Sequence, residues 1–291
     1  MTTLPPPVSA ATRLLALLGN PVAHSLSPAI QNAALASAGV DARYLALRCD
    51  ASEVGGLIRG LARAGGGGNV TLPHKGIAAD TVEVPSELVV RTGACNTFWL
   101  QNGRIHGENT DVLGFARAAE ALLGGSLAGL RVGVIGAGGA ARGALVALQL
   151  GGAGEIYLWN RTADRAVALA RELGGRVKAL PRLEELADRG PDLVVNATTL
   201  GLASGDPLPF DPELFGTVRG VLDLVYRPGE TELVHRARAL GQVAADGGEM
   251  LVQQGAAAFE CWCGVEPSLE VMRGALREGR ELALRQRPER P

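Results

Sequence analysis

An apolar run ending in a glycine-rich turn, "VGVIGAGGAARG" at residues 132–143, restricts this chain more than any other stretch. Val132 to Ile135 suit a buried strand, and Gly136, Gly138 and Ala141 fall at the spacing G-x-G-x-x-A. At such a spacing Gly136 permits a tight turn, Gly138 lets backbone approach a pyrophosphate, and Ala141 allows the next helix to pack closely. The N–H groups opening that helix then face an anion. Further apolar strands at "EIYLWN", "DLVVNAT" and "VLDLVY" alternate with helical segments. Continuous apolar strands with helices between them imply a parallel sheet covered on both faces.

A second block of alternating strands and helices precedes the turn. "RLLALLG" (13–19) reads as a strand, being short for a signal segment and poorly flanked for one. The helix after it is expected to start near Pro28, with Ser27 as its cap. "RYLALRC" (43–49) and "GNVTL" (68–72) read as strands around a helix at 52–64. "TFWLQNGRIHGEN" (97–109) reads as a hairpin turning at Asn102–Gly103. A helix from Asp111 to about Leu123 leads into the glycine-rich block, and residues 247–264 and the Arg- and Glu-rich end read as helical. The expected fold class is therefore α/β with two domains. Residues 1–112 form an N-terminal α/β domain completed by C-terminal helices at 247–291, and residues 113–246 form a Rossmann-type doubly wound domain. The first dozen residues, with "PPP" at 5–7, read as a loose tail.

A chain of 291 residues has room for two modest domains. A net charge of −2 offers no electrostatic case for nucleic acid or an anionic membrane as partner, and 4% aromatic residues give little for bases to stack on. Cys49, Cys95, Cys261 and Cys263 form neither a zinc pattern nor a C-x-x-C pair, so free thiols in the cytoplasm are expected. His24, His74, His106 and His235 are scattered, and no metal site is expected. His24 and His74 are read as local structural or exposed residues.

Two features bear on chemistry. Where an NAD-binding strand usually ends in an acid, this chain has "WNRTADR" (159–165), with Asn160 24 positions beyond Gly136. Asn160, Arg161, Thr162 and Arg165 offer donors and two cations, suited to the 2′-phosphate of NADP. The other feature is scarcity: of 28 basic residues only Lys75 and Lys178 are lysine. Lys75 sits in "NVTLPHK", and lysine, unlike arginine, can give up its proton where its surroundings favour that. Around it, "GNPVAHSLSP" (19–28), "NVTLPHK" (69–75), "GACNT" (93–97) and "GENTD" (107–111) gather hydroxyls, amides, an amine and a carboxylate beside turns. That array suits a small polyhydroxylated substrate, each of whose OH groups needs a partner once water is excluded.

Taken in order, these stretches with "GAGGAA", "NRT" and "MLVQQ" strongly resemble the shikimate dehydrogenase family over roughly residues 13–265. The resemblance implies reversible, NADPH-dependent reduction of 3-dehydroshikimate to shikimate in aromatic amino-acid biosynthesis. It implies Lys75 and Asp111 as the catalytic pair and Ser25 and Ser27 as binders of the substrate carboxylate. Asn69, Thr71, Asn96 and Gln254 would bind its carboxylate or ring hydroxyls, with Tyr226 nearby. Gly136, Ala137, Gly138, Gly139 and Ala140 would line the pyrophosphate turn, and Met250 would lie near the nicotinamide. Three positions depart from the pattern: Gln31 stands where relatives often have His, Cys95 where Val is usual, and Glu249 where a small residue is usual. The expected partner is a small-molecule substrate, and the expected assembly a monomer or homodimer. A quinate or dual quinate/shikimate dehydrogenase and a catalytically inactive NADPH-binding sensor are the alternatives. Retention of both Lys75 and Asp111 speaks against the sensor.

Overall fold

The structure, a computed structural model, describes residues 7–203 and 205–285. The expected loose tail lies outside the described residues over 1–6, as does the end of the C-terminal helical region over 286–291. In chain order the first half holds β1 (Arg13–Gly19), α1 (Ser27–Ser37), β2 (Ala42–Arg48), α2 (Ala51–Arg63), β3 (Gly67–Val70), α3 (Lys75–Thr81), β4 (Val84–Pro85), α4 (Glu87–Thr92), β5 (Thr97–Gln101) and β6 (Arg104–Glu108). There follow α5 (Thr110–Leu123), β7 (Arg131–Ile135), α6 (Gly139–Leu150), β8 (Glu155–Trp159), α7 (Ala163–Leu173), β9 (Val177–Ala179), α8 (Leu183–Asp188) and β10 (Leu193–Asn196). The chain ends with β11 (Gly220–Asp223), α9 (Glu232–Ala239), β12 (Ala244–Ala245), α10 (Gly248–Cys263) and α11 (Leu269–Arg285).

The chain divides into two compact units. One holds the described residues up to Gly114 and those from Leu251 on; the other is Phe115–Met250. Both divisions fall inside a helix, α5 and α10, so no break in composition marks them.

The first unit is built on a mixed sheet in the order β2-β1-β3-β5-β6-β4. β1 runs parallel to β2 and β3, whereas β5 is antiparallel to β3 and β6. The β5–β6 connection is the expected tight hairpin: Asn102 has φ +52° and Gly103 φ +75°, the pair of left-handed residues that such a turn requires. α2 starts on a capping box, with Glu53 Oε2 accepting the Asp50 N–H at 2.8 Å. One apolar cluster lies on one side of the sheet between β1, β2, α1, α10 and α11, including Leu15, Tyr44, Ile30, Phe259 and Met272. Another, including Leu18, Val54, Ile58, Val70 and Phe98, is built by β1, β3, α2 and β5. α1 begins one residue earlier than expected: Ser27 is its first residue and makes no side-chain cap, and Ser25 Oγ instead accepts the Ser27 N–H at 3.2 Å. β3 ends at Val70, so Thr71 and Leu72 belong to the following loop.

The second unit is a six-stranded, wholly parallel sheet in the order β12-β11-β10-β7-β8-β9. Read from the other edge, this is the 3-2-1-4-5-6 order of a doubly wound dinucleotide-binding fold, whose switch point lies between β7 and β10. The middle positions of β7, β8, β10 and β11 are apolar, as expected for a sheet covered by helices on both faces, and Val132, Val134, Val194 and Val221 are completely buried.

Candidate active site

The pairing of the first sheet explains why four separated stretches meet. β1 and β3 are parallel, so the loops that leave them lie at the same edge, where the Thr71 N–H donates to the Leu18 carbonyl at 2.8 Å. β5 runs the other way and therefore starts at that edge; the Val70 N–H donates to the Asn96 carbonyl at 2.9 Å. β6 returns to the same place, where the Asn96 N–H donates to the Glu108 carbonyl at 3.0 Å. Ser25 and Ser27 leave β1, Thr71 and Lys75 leave β3, Asn96 precedes β5, and Asp111 follows β6.

At the centre, Lys75 Nζ donates to Asp111 Oδ2 in a close ion pair. The two side chains are 24% and 21% exposed, reachable by a small molecule yet partly withdrawn from water. An ammonium has three N–H donors; among the described residues Asp111 takes one. The other carboxylate oxygen, Oδ1, accepts from Asn96 Nδ2 at 2.9 Å. Asn96 is itself fixed: its Oδ1 accepts the Thr110 N–H at 2.8 Å and the Thr97 hydroxyl at 2.9 Å. Its Nδ2 also faces Thr110 Oγ1 at 3.0 Å and Gln254 Oε1 at 3.5 Å. Asn69 is held from two sides, accepting from the Tyr44 hydroxyl at 2.7 Å and donating to Thr97 Oγ1 at 2.9 Å. Ser25 is half-buried and Ser27 nearly buried at the start of α1. Ser25 Oγ accepts the Ser27 N–H, and among the described residues its hydroxyl has no acceptor, which leaves its proton available.

Neighbouring residues support this arrangement without joining it. His74 is buried and donates from Nε2 to the Cys49 carbonyl at 3.0 Å, joining the Lys75 loop to the end of β2; His24 is exposed. Cys95 is fully buried with its Sγ 3.2 Å from the Thr97 carbonyl, and burial pushes its thiol up to about 12, so it packs rather than reacts. Among the described residues no group of three His, Cys, Asp or Glu side chains is placed to hold a metal.

The glycine turn of the second unit is shaped by backbone. Gly136 has φ +115°, and its N–H donates to the Trp159 carbonyl at 2.8 Å. A Cβ there would stand 2.8 Å from the Ala197 carbonyl oxygen, so only glycine fits. Gly138, Gly139 and Ala140 are exposed, and a Cβ at either glycine would meet nothing within 4 Å. Ala137 is half-buried and Ala141 fully buried. The open approach to the start of α6 fits a pyrophosphate on its N–H groups. After β8, Asn160 Nδ2 donates to the Thr162 carbonyl at 2.8 Å and holds the loop. Arg161 and Arg165 are exposed, and neither has a carboxylate partner among the described residues, unlike Arg142, which grips Glu172 with two bonds of 2.5 and 2.7 Å. Two uncommitted cations and no acid at this strand end fit a 2′-phosphate. Tyr226 is half-buried just after β11, and Met250 half-buried at the end of this unit; both belong to the unit that holds the glycine turn.

Sequence reasoning passed over Tyr44, Thr97 and Thr110 as individual residues, although all three lock the asparagines in place. Tyr44 gave a faint signal, being a polar-tipped side chain at an inward position of β2, beside Ala42, Leu45 and Ala46. It also passed over Asn196 and Asp223, the last residues of β10 and β11. Asp223 is completely buried, and its Oδ1 accepts from Asn196 Nδ2 at 2.8 Å and the Val225 N–H at 3.1 Å. Burial raises its carboxyl above the usual range, against the opposing hydrogen bonds from Thr231, Asn196 and Val225.

Comparison with known proteins places these features in one family. Residues 17–98 match the family described as "Shikimate dehydrogenase substrate binding domain", residues 117–201 "Shikimate / quinate 5-dehydrogenase", and residues 247–277 "Shikimate 5'-dehydrogenase C-terminal domain". A shikimate dehydrogenase (NADP(+)) of Rubrobacter xylanophilus is 42% identical over 279 residues, covering 93% of this chain and 98% of that protein. One of Moorella thermoacetica is 40% identical over 280 residues, covering 93% and 95%. The crystal structure of shikimate 5-dehydrogenase from Thermus thermophilus, in complex with NADP(H) and shikimate, is 40% identical with a TM-score of 0.82, covering 92% of this chain and 99% of that one.

Proposed function

The chain belongs to the shikimate dehydrogenase family, and on that premise we propose that it interconverts 3-dehydroshikimate and shikimate with NADP(H) as cofactor. The observation that carries the reading is the Lys75–Asp111 pair held by Asn96 at the edge where four polar loops converge. Substrate binding is assigned to the first unit and NADP binding to the second.

When bound, NADPH supplies the hydride that completes reduction of the ketone. Negative charge then develops on the carbonyl oxygen, and the Lys75 ammonium stabilises it and donates a proton from Nζ. In the oxidative direction the neutral amine accepts that proton from the hydroxyl. Asp111 orients Lys75 through Oδ2 and accepts from a neighbouring substrate hydroxyl, while Asn96 keeps the carboxylate from rotating. We assign the substrate carboxylate to Ser25 and Ser27, and the remaining carboxylate and hydroxyl contacts to Asn69, Thr71, Asn96 and Gln254, and count Tyr226 among the substrate-binding residues. Gly136 to Ala140 hold the pyrophosphate, Asn160, Arg161, Thr162 and Arg165 the adenosine 2′-phosphate, and Met250 lies toward the nicotinamide. A bare NADPH sensor has no use for the engaged Lys75–Asp111 pair. The four free cysteines, none in a disulfide, support a cytoplasmic setting.

The test is a turnover matrix of shikimate and quinate against NADP+ and NAD+. Shikimate with NADP+ is expected to give the highest kcat/KM. Faster turnover of quinate would favour the quinate dehydrogenase reading, and no turnover of either would favour the sensor.

A further inference from the structure

Ser27 opens α1, with Ser25 two residues before it, α10 carries Gln254, and one buried side chain ties the two helices together. Gln31 lies one helical turn beyond Ser27 and is 1% exposed. Its Nε2 donates to the Gly255 carbonyl at 2.9 Å. That carbonyl lies inside α10, where the residue four places on is its ordinary donor, so it is not orphaned without Gln31. Gly255 is the gap that admits the amide: a Cβ there would stand 3.2 Å from Gln31 Nε2 and 3.4 Å from Met272 Cε. Gln31 Oε1, meanwhile, is buried with no hydrogen-bond partner among the described residues. An apolar side chain of similar volume would avoid that desolvation cost, so fold stability alone does not account for an amide here.

The residue next to the gripped carbonyl is the one that faces the site. Gln254 Nε2 donates to the Leu251 carbonyl at 2.8 Å, and its Oε1 faces Asn96 Nδ2 at 3.5 Å. Asn96 in turn holds Asp111, the partner of Lys75. Gln31 therefore sits between the serine end of α1 and the glutamine of α10, touching the machinery only through backbone.

We propose that Gln31 is a positioning residue for substrate. By gripping the Gly255 carbonyl it sets the rotation and depth of α10 beside α1, and so the placement of Gln254 against Asn96. The proposal rests on the shikimate dehydrogenase reading. It makes substrate affinity, rather than proton transfer or cofactor binding, the property that Gln31 controls.

The experiment compares wild type, Gln31→Met, Gln31→His, Gln254→Ala and the Gln31→Met/Gln254→Ala double variant for kcat, both KM values and Tm. Gln31→Met is expected to raise KM for shikimate about tenfold, equivalent to about 1.4 kcal/mol and within the range of coupling between neighbouring residues. KM for NADP+ should be unchanged and Tm should not fall. Gln31→His, which keeps a ring N–H donor, should recover most of the loss. In the double variant the two effects should fall short of multiplying, because both act through Gln254. An unchanged KM for shikimate, fully multiplicative effects, or a drop in Tm with parallel losses in every constant would overturn the proposal. Wild-type turnover of shikimate is measured in the same series. Its absence would defeat the reading beneath the proposal, whereas an active wild type with an indifferent Gln31→Met would defeat the proposal alone.

Discussion

Around Lys75 the polar side chains of the first unit are bonded to one another, whereas Arg161 and Arg165 of the second unit have no carboxylate partner among the described residues. The Asn69–Thr97–Asn96–Asp111–Lys75 chain is largely buried and built from side chains, so each member depends on the next. The start of α6 at Gly138–Ala140 and the two arginines after β8 are exposed, and they offer backbone and free charge. A proton must move at one defined atom, and preorganised neighbours fix that atom's position before substrate arrives. A 2′-phosphate only needs to be held, and exposed cations at a strand end are enough for that. Damage to the Lys75–Asp111–Asn96 network should therefore appear in rate, and damage to the arginine loop in affinity and cofactor choice.

The largest expected effect breaks the first half of this contrast. Lys75→Arg keeps the charge in a chain that uses Arg almost everywhere, but a guanidinium is a poor proton donor, and its planar fork cannot take the place of a compact ammonium. Loss of general acid–base catalysis costs about 10²–10⁴-fold in rate. NADP+ affinity, read by fluorescence titration of the same variant, should stay at the wild-type value because the glycine turn belongs to the other unit. A near-normal kcat would reduce Lys75 to a mere charge.

Removing Arg161 and Arg165 together tests the second half. Charge-assisted contacts are worth about 1.5–3 kcal/mol each, and exposure and salt reduce that, so a loss of about 10–100-fold in kcat/KM with NADP+ is expected. NAD+ lacks the phosphate, and its kcat/KM should hardly move. An unchanged NADP+/NAD+ ratio would remove these residues from cofactor recognition.

Ser25→Ala/Ser27→Ala sharpens the comparison within the first region, by separating residues that bind from residues that react. KM for shikimate should rise about 10–100-fold, the loss of hydrogen bonds from two hydroxyls to a carboxylate reduced by solvent access, with kcat nearly preserved. A collapse of kcat at constant KM would place the serines in the chemical step.

The smallest effect concerns Asp223. Its carboxyl is raised by burial, so the stability it contributes is present below the ordinary carboxylate pKa and is lost as pH rises through the raised value. Asp223→Asn removes that titration while its carbonyl can still accept from Asn196 and Val225. The difference in Tm between this variant and wild type should therefore shift in the variant's favour from acid to neutral pH. A difference independent of pH would mean that Asp223 does not titrate in this window.

Much of the fold was legible because local rules and global packing agree. The glycine spacing after an apolar strand, the Asn102–Gly103 hairpin and the continuous apolar strands each specify their own backbone, and the structure contains all three. The start of α1 was less legible, since the Ser25 hydroxyl competes with Ser27 for the role of cap and accepts the Ser27 N–H itself. The site was legible as a set of residue types on loops, but not as a network. Nothing in a linear reading says that Tyr44 supports Asn69, that Thr97 and Thr110 lock Asn96, or that Gln31 reaches Gly255 across 224 positions.

What the sequence determined by itself was short-range: where the backbone must turn, which strands are buried on both faces, where an acid is missing and where a lysine is kept. These follow from steric and electronic properties of a few adjacent residues, which no distant contact alters. What only the tertiary structure decided was which polar groups share a hydrogen bond. The reversal of β5 against β3 brings Asn96 beside Val70 and places Asp111 within reach of Lys75, and that reversal is a property of strand order. A hydrogen bond acts over about 3 Å, so its partners are known only once the chain has been folded through space.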